Sequence, residues 1–126
     1  MTRLFKGINV VSITVADLDR SRRFYRDTLG LGEPLYDLPE AGWIEFSTGR
    51  DGGGNLALVP AGPGWRPSAG TTVVFDVEDC HAAVADLRER GVDCDDPQVF
   101  PGYVTFAGFR DPDGDRLQMC SPAPDA

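Results

Sequence analysis

The chain has 126 residues, 41% hydrophobic and 25% charged, which fits one folded domain and excludes a disordered tail. Twelve Lys and Arg against twenty Asp and Glu leave a net charge of −8, which argues against nucleic-acid phosphates or anionic lipids as partners. Nor does any apolar run approach the roughly 18 residues that a bilayer span needs.

In chain order, the pattern predicts a strand at 9–15, read as a strand rather than a secretory leader, and then a helix over 18–29. Asp17 is the expected N-cap of this helix and Gly30 its stop. Strands follow at 33–38, 42–48 and 55–59, with a hairpin over Gly49 to Gly54 between the last two. A Gly- and Pro-rich connection spans 60–70. The second half repeats the order: strand 71–77, helix 80–90 between Asp79 and Gly91, then strands 93–95, 103–109 and 115–120. In this repeat Trp43-Ile44-Glu45-Phe46 aligns with Tyr103-Val104-Thr105-Phe106, and Leu56-Ala57-Leu58 with Leu117-Gln118-Met119.

Alternation along the strands separates two faces. Val11, Ile13 and Val15, then Ile44 and Phe46, then Leu56 and Leu58 share one parity in the first half. Val73, Phe75, Val104, Phe106, Leu117 and Met119 share it in the second. This apolar face is expected beneath the two helices. The other parity mixes polar, small and aromatic residues and is expected to meet solvent, a ligand or a second subunit. Trp43, Glu45, Thr72, Asp76, Tyr103 and Gln118 fall on it. Trp43 and Tyr103 then occupy equivalent places, and Trp65 lies in the connection, where a loop could lap over a bound ring. These aromatics suit stacking on a flat ligand or sealing a subunit contact. Glu45 and Asp76 are candidates to attract a cation or to act as a base, or else to be solvated at the rim.

Other signals are weaker. Arg20, Arg22, Arg23 and Arg26 read as a solvated helix face. His81 is the only histidine and is expected to face solvent. Asp111-Pro112-Asp113-Gly114-Asp115 departs from a calcium loop, with its glycine one place early and Pro122 where a bidentate Glu belongs, so a tight hairpin is expected. The three cysteines, Cys80, Cys94 and Cys120, form no Cys-x-x-Cys and point to reduced thiols in a cytoplasm.

The run Val15-Ala16-Asp17-Leu18 with Ser21, Phe24-Tyr25 and Leu29-Gly30-Leu31-Gly32, followed by Phe109-Arg110-Asp111-Pro112-Asp113-Gly114, resembles the vicinal-oxygen-chelate superfamily. That group contains glyoxalase I, bleomycin-resistance proteins and extradiol dioxygenases, and the resemblance runs from about residue 8 to 121. It implies an α+β fold of two tandem βαβββ modules, forming a curved, mainly antiparallel sheet around a concave cavity. The expected layout is a single domain over 1–126: module one at about 8–60, the connection at about 60–70, and module two at about 71–121. It also implies a homodimer. Metal-dependent members carry His, Gln or Glu ligands on the first and last strand of each module, and those positions fall here at Val10, Ala57, Thr72 and Gln118. A divalent transition ion wants roughly three or four His, Cys or carboxylate ligands, so no metal and no cofactor are expected. The implied function is metal-independent binding of a small, partly aromatic molecule by Trp43, Glu45, Trp65, Thr72, Tyr103 and Gln118, as in drug sequestration. The alternative is a glyoxalase-type lyase, isomerase or epimerase using Glu45 or Asp76.

Overall fold

The computed structural model describes residues 4, 8–49, 54–67 and 72–124. The chain divides into two compact units, Met1–Trp65 and Arg66–Ala126. Each is a βαβββ module with its own four-stranded mixed sheet.

In the first unit, β1 (Val10–Val15) leads into α1 (Leu18–Arg23). Asp17 stays extended, and its carboxylate accepts the Arg20 backbone N–H at 3.1 Å, satisfying one of the amides left open at a helix start. The helix then widens into a π-turn over Phe24–Thr28, with the Leu29 N–H reaching back to the Phe24 carbonyl at 2.8 Å. Strands β2 (Tyr36–Leu38), β3 (Trp43–Phe46) and β4 (Asn55–Pro60) complete the sheet in the order β1-β4-β3-β2. β1 runs parallel to β4, a pairing reached only through the intervening helix; the other pairs are antiparallel. Val15, Tyr25, Ile44, Phe46, Leu56 and Leu58 are fully or almost fully buried, and the Tyr25 ring lies 6.3 Å from that of Phe46. This fixes the face bearing Phe46 as the one that the helix covers.

The second unit repeats the plan with β5 (Val73–Asp76), α2 (Cys80–Glu89), β6 (Gln98–Phe100), β7 (Val104–Arg110) and β8 (Arg116–Pro122), in the order β5-β8-β7-β6. Asp79 caps α2 through the Ala82 N–H at 3.2 Å. Both helical stretches stop where expected: Gly30 (φ 76°) and Gly91 (φ 82°) adopt the left-handed conformation that a side chain would resist. The Ser121 hydroxyl accepts the buried Cys80 N–H at 2.9 Å, and the rings of Phe75 and Phe109 lie 6.3 Å apart.

Three expectations are corrected. The strand predicted at 93–95 is Gln98–Phe100 instead, and Cys94 makes only an isolated bridge to Phe109. Val92 and Cys94 are buried and imitate strand alternation, but the ladder begins only after Pro97, which has no N–H to give. Residues 18–29 are not one α-helix, because its second half is the π-turn. Most consequentially, β7 has the opposite phase from the one predicted. Thr105, Ala107 and Phe109 pair with Ser121, Met119 and Leu117 on the helix-covered face and are buried there. Phe106 pairs with Cys120, Gly108 with Gln118, and both pairs lie on the mixed face. The hairpin expected over Gly49 to Gly54 includes residues 50–53, and the connection includes 68–70; these lie outside the described residues.

Candidate functional site

The mixed face of the first sheet is built from β1, β4 and β3. Register places Ser12 beside Ala57, and Ala57 beside Glu45. Trp43 lies two residues before Glu45 on the same strand and so on the same face. Asn55 lies two before Ala57 and reaches Glu45 on the diagonal. The Trp43 Nε1–H donates to Glu45 Oε1 at 2.9 Å, and the Asn55 Nδ2–H donates to Glu45 Oε2 at 2.9 Å. Glu45 is only 7% exposed, whereas Trp43 and Asn55 are half-buried.

Withdrawing a carboxylate from water costs several kcal/mol. Two hydrogen bonds to a charged acceptor return about 1.5–3 kcal/mol each. The triad therefore holds a buried charge in place with neutral donors. Both carboxylate oxygens already accept a fixed N–H, an arrangement suited to recognition rather than to proton abstraction.

The other predicted residues are dispersed. Tyr103 precedes β7, is 72% exposed and packs edge-on against Phe100, with ring centroids 5.3 Å apart. It is therefore not the counterpart of Trp43. That place belongs to Phe106, which is half-buried on the mixed face of the second sheet and was missed because of the β7 phase error. Gln118 is half-buried on that face, between Val74 and Gly108. Thr72 is exposed just ahead of β5. Asp76 is exposed and accepts the Cys120 thiol, with Sγ 3.6 Å from Oδ1. Trp65 is half-buried in a turn, its N–H bonded to the Gly62 carbonyl at 3.3 Å. Asn55 was also missed. Its place on the mixed-face parity was visible, but its reach across to Glu45 depends on the β3–β4 register.

Near the end of the second sheet, Asp95 lies against both Arg110 and Arg116, at 3.3 and 3.6 Å. A Cβ at Gly108 would stand 2.7 Å from Asp95 Oδ2 and 2.9 Å from Arg116 Nη2, so glycine leaves room for both side chains. The acidic stretch expected to be a hairpin is the β7–β8 turn. Asp111 Oδ1 accepts the backbone N–H groups of Asp113 and Asp115 at 2.9 Å each. The carboxylates of Asp111, Asp113 and Asp115 come within 4.8 Å of one another around it. A shallow depression of about 620 Å³ lies on the helical side of the second sheet, lined by Val77, Glu78, Asp79, Ala82, Ala83 and Asp86, with no aromatic residue. Burial pushes the Cys80 and Cys94 thiols above the ordinary range. The helix arginines meet acids, but the face is not solvated throughout as expected: Arg22 contacts Asp19 and Asp37 at 3.0 Å with its side chain only 19% exposed, and Arg26, half-buried, contacts Asp27 at 2.8 Å. His81 is exposed on α2.

The model of the Glyoxalase/Bleomycin resistance protein/Dioxygenase superfamily matches residues 7–119. The chain belongs to this superfamily. TnmS3, an antibiotic binding protein from Streptomyces sp. CB03234, is 27% identical, with a TM-score of 0.81 over 97% of this chain and 100% of that one. A glyoxalase/bleomycin resistance protein from the same Streptomyces strain is 28% identical, with a TM-score of 0.73 over 90% of this chain and 98% of that one. A glyoxalase family protein from Enterococcus faecalis is 25% identical, with a TM-score of 0.71 over 94% of this chain and 100% of that one. No curated protein matches. Among the described residues, no helix is long and apolar enough to cross a membrane.

Superfamily membership raises the question of a metal. The four positions that the resemblance gives for metal ligands, Val10, Ala57, Thr72 and Gln118, offer one hydroxyl and one amide, with no imidazole, thiolate or carboxylate. The carboxylate nearest Ala57 in register is Glu45, and both of its oxygens are engaged by Trp43 and Asn55. This donor set does not fit a divalent transition ion.

Proposed function

We propose that the chain binds a small, partly aromatic molecule on the mixed faces of its sheets, without a metal, and sequesters it as an antibiotic-binding resistance protein would. The observation that carries this reading is the half-buried Trp43 held in one orientation by the buried Glu45, on the face that the helix leaves uncovered. Similarity to the antibiotic binding protein TnmS3 along nearly the whole chain supports it. Within the second unit, half-buried Phe106 and Gln118, with Thr72, are proposed contacts on that sheet's own mixed face, and Trp65 is a further candidate in the first unit. The glyoxalase-type lyase, isomerase or epimerase reading has less support: Glu45 has both oxygens committed, and Asp76 is exposed.

The working unit in this reading is a single-domain cytoplasmic chain that pairs as a homodimer. Exposed Tyr36 and Leu38 on edge strand β2, and Val99 and Phe100 on edge strand β6, are among the apolar groups that could make such a contact. Titration with planar aromatic antibiotics, followed by tryptophan fluorescence on a sample sized by sedimentation, tests the reading. The expected result is a saturable quench in a species of twice the chain mass. A folded protein showing no saturable response to any planar ligand overturns it.

A further inference from the structure

Trp43, Glu45 and Asn55 form an arrangement whose electrostatics select among flat ligands. Glu45 is buried, and its two partners are an indole N–H and an amide N–H, both neutral. Among the described residues, no Lys or Arg forms a salt bridge with it. Opposite Glu45 in register is Ala57, which ends at its Cβ and adds no countercharge. Neutral dipoles solvate a charge without cancelling it, so the negative potential of Glu45 persists in its surroundings.

The indole transmits that potential. An aromatic face is already the negative end of a quadrupole, and a cation placed over it is attracted. Donating the Nε1–H to a carboxylate pushes electron density into the ring and strengthens that face. The same bond fixes the ring plane, so little rotamer freedom is lost when a ligand stacks. A neutral flat ring gains only the stacking contact, a flat cation gains stacking and charge together, and a flat anion is repelled.

We propose that Trp43, Glu45 and Asn55 form a recognition subsite for an organic cation, a flat ring system carrying a delocalised positive charge. This assignment rests on the binding function proposed above and names the class of ligand that the site takes.

The test uses the 126-residue chain and calorimetric titration at neutral pH with two flat probes of nearly equal size, 9-aminoacridine as the cation and acridine as the neutral ring. The wild-type chain is expected to bind the cation about tenfold more tightly than acridine. In Glu45→Gln that ratio should fall to within about threefold. The glutamine keeps the shape, and the Asn55 amide can turn over to accept from it. Glu40→Gln removes the same charge from an exposed residue in the turn after β2 and should leave the ratio at its wild-type value. Trp43→Phe keeps a ring but loses the N–H, and its ratio should also fall, which provides a second readout if Glu45→Gln does not fold. Saturable binding of acridine by the wild type with no preference for the cation overturns the cation subsite and leaves the binding function standing. A preference that survives both Glu45→Gln and Trp43→Phe overturns the subsite as well. Failure of the folded wild-type protein to bind either probe overturns the binding function and this assignment with it.

Discussion

Side chains of one type play different parts here because of where the strands place them, and the cysteines show this as clearly as the triad does. Cys80 opens α2 beneath the second sheet's covered face and is fully buried; Cys94 is buried; Cys120, on the mixed-face parity of β8, is half-buried. Burial disfavours the thiolate, which raises the first two thiols. A thiol reagent at mildly alkaline pH is therefore expected to label Cys120 first, with Cys80 and Cys94 reacting only as the chain opens. Peptide mapping of partly labelled protein checks the order, and early modification of Cys80 would contradict it. The same two thiols give stability a direction with pH. Because folding raises them, their contribution is intact below the ordinary thiol range. It declines as the pH climbs through that range toward the folded values, since the unfolded chain releases those protons first. Urea midpoints should accordingly fall on the alkaline side, and Cys80→Ala should flatten part of that fall.

Among the elements, α2 depends on two oxygens of different standing. The Asp79 carboxylate caps the Ala82 N–H at an exposed helix start, whereas the Ser121 hydroxyl reaches from β8 to the buried Cys80 N–H. An exposed cap can be replaced by water, so Asp79→Ala should cost about 1 kcal/mol. Ser121→Ala leaves a buried N–H with no acceptor and should cost about 1–3 kcal/mol, the larger loss of the two. Denaturant melts of both variants measure the order, and a reversal would show that water reaches the Cys80 amide. The elements also mark where the sequence stops being legible. The βαβββ repeat could be read because Asp17 and Asp79 cap, Gly30 and Gly91 stop, and Leu56 and Leu58 recur as Leu117 and Met119. The face of β7 could not. Phe46 pairs with Leu56, but its structural counterpart Phe109 pairs with Leu117, so the second hairpin is two residues shorter and the repeat offset changes from strand to strand. Val104 and Phe106 on one parity, against Ala107 and Phe109 on the other, leave the alternation undecided. Only pairing with β8 decides it, and pairing is a long-range property. The π-turn at Phe24–Thr28 was equally hidden, since no glycine or proline marks it.

For the whole molecule, a net charge of −8 attracts any cation, and this collective field must be separated from the contact at Glu45. Salt distinguishes them, because ions screen charges spread over a surface far more than a close, desolvated pair. The Debye length is about 10 Å in 0.1 M salt and about 3 Å in 1 M. Removing any one carboxylate shifts the net charge only from −8 to −7, a small change to the distant field wherever the residue lies. Glu40→Gln and Glu45→Gln are therefore equivalent to that field and differ only in contact with the ligand. Moving from dilute buffer to about 0.5 M NaCl should weaken 9-aminoacridine binding several-fold in the wild type and in both variants alike. The separation between wild type and Glu45→Gln should persist at high salt, while Glu40→Gln should track the wild type throughout. Titrations at four or five salt concentrations measure both slopes. If Glu40→Gln instead tracks Glu45→Gln at every salt concentration, the cation preference belongs to the acidic surface as a whole, and Glu45 is a buried structural acceptor for Trp43 and Asn55.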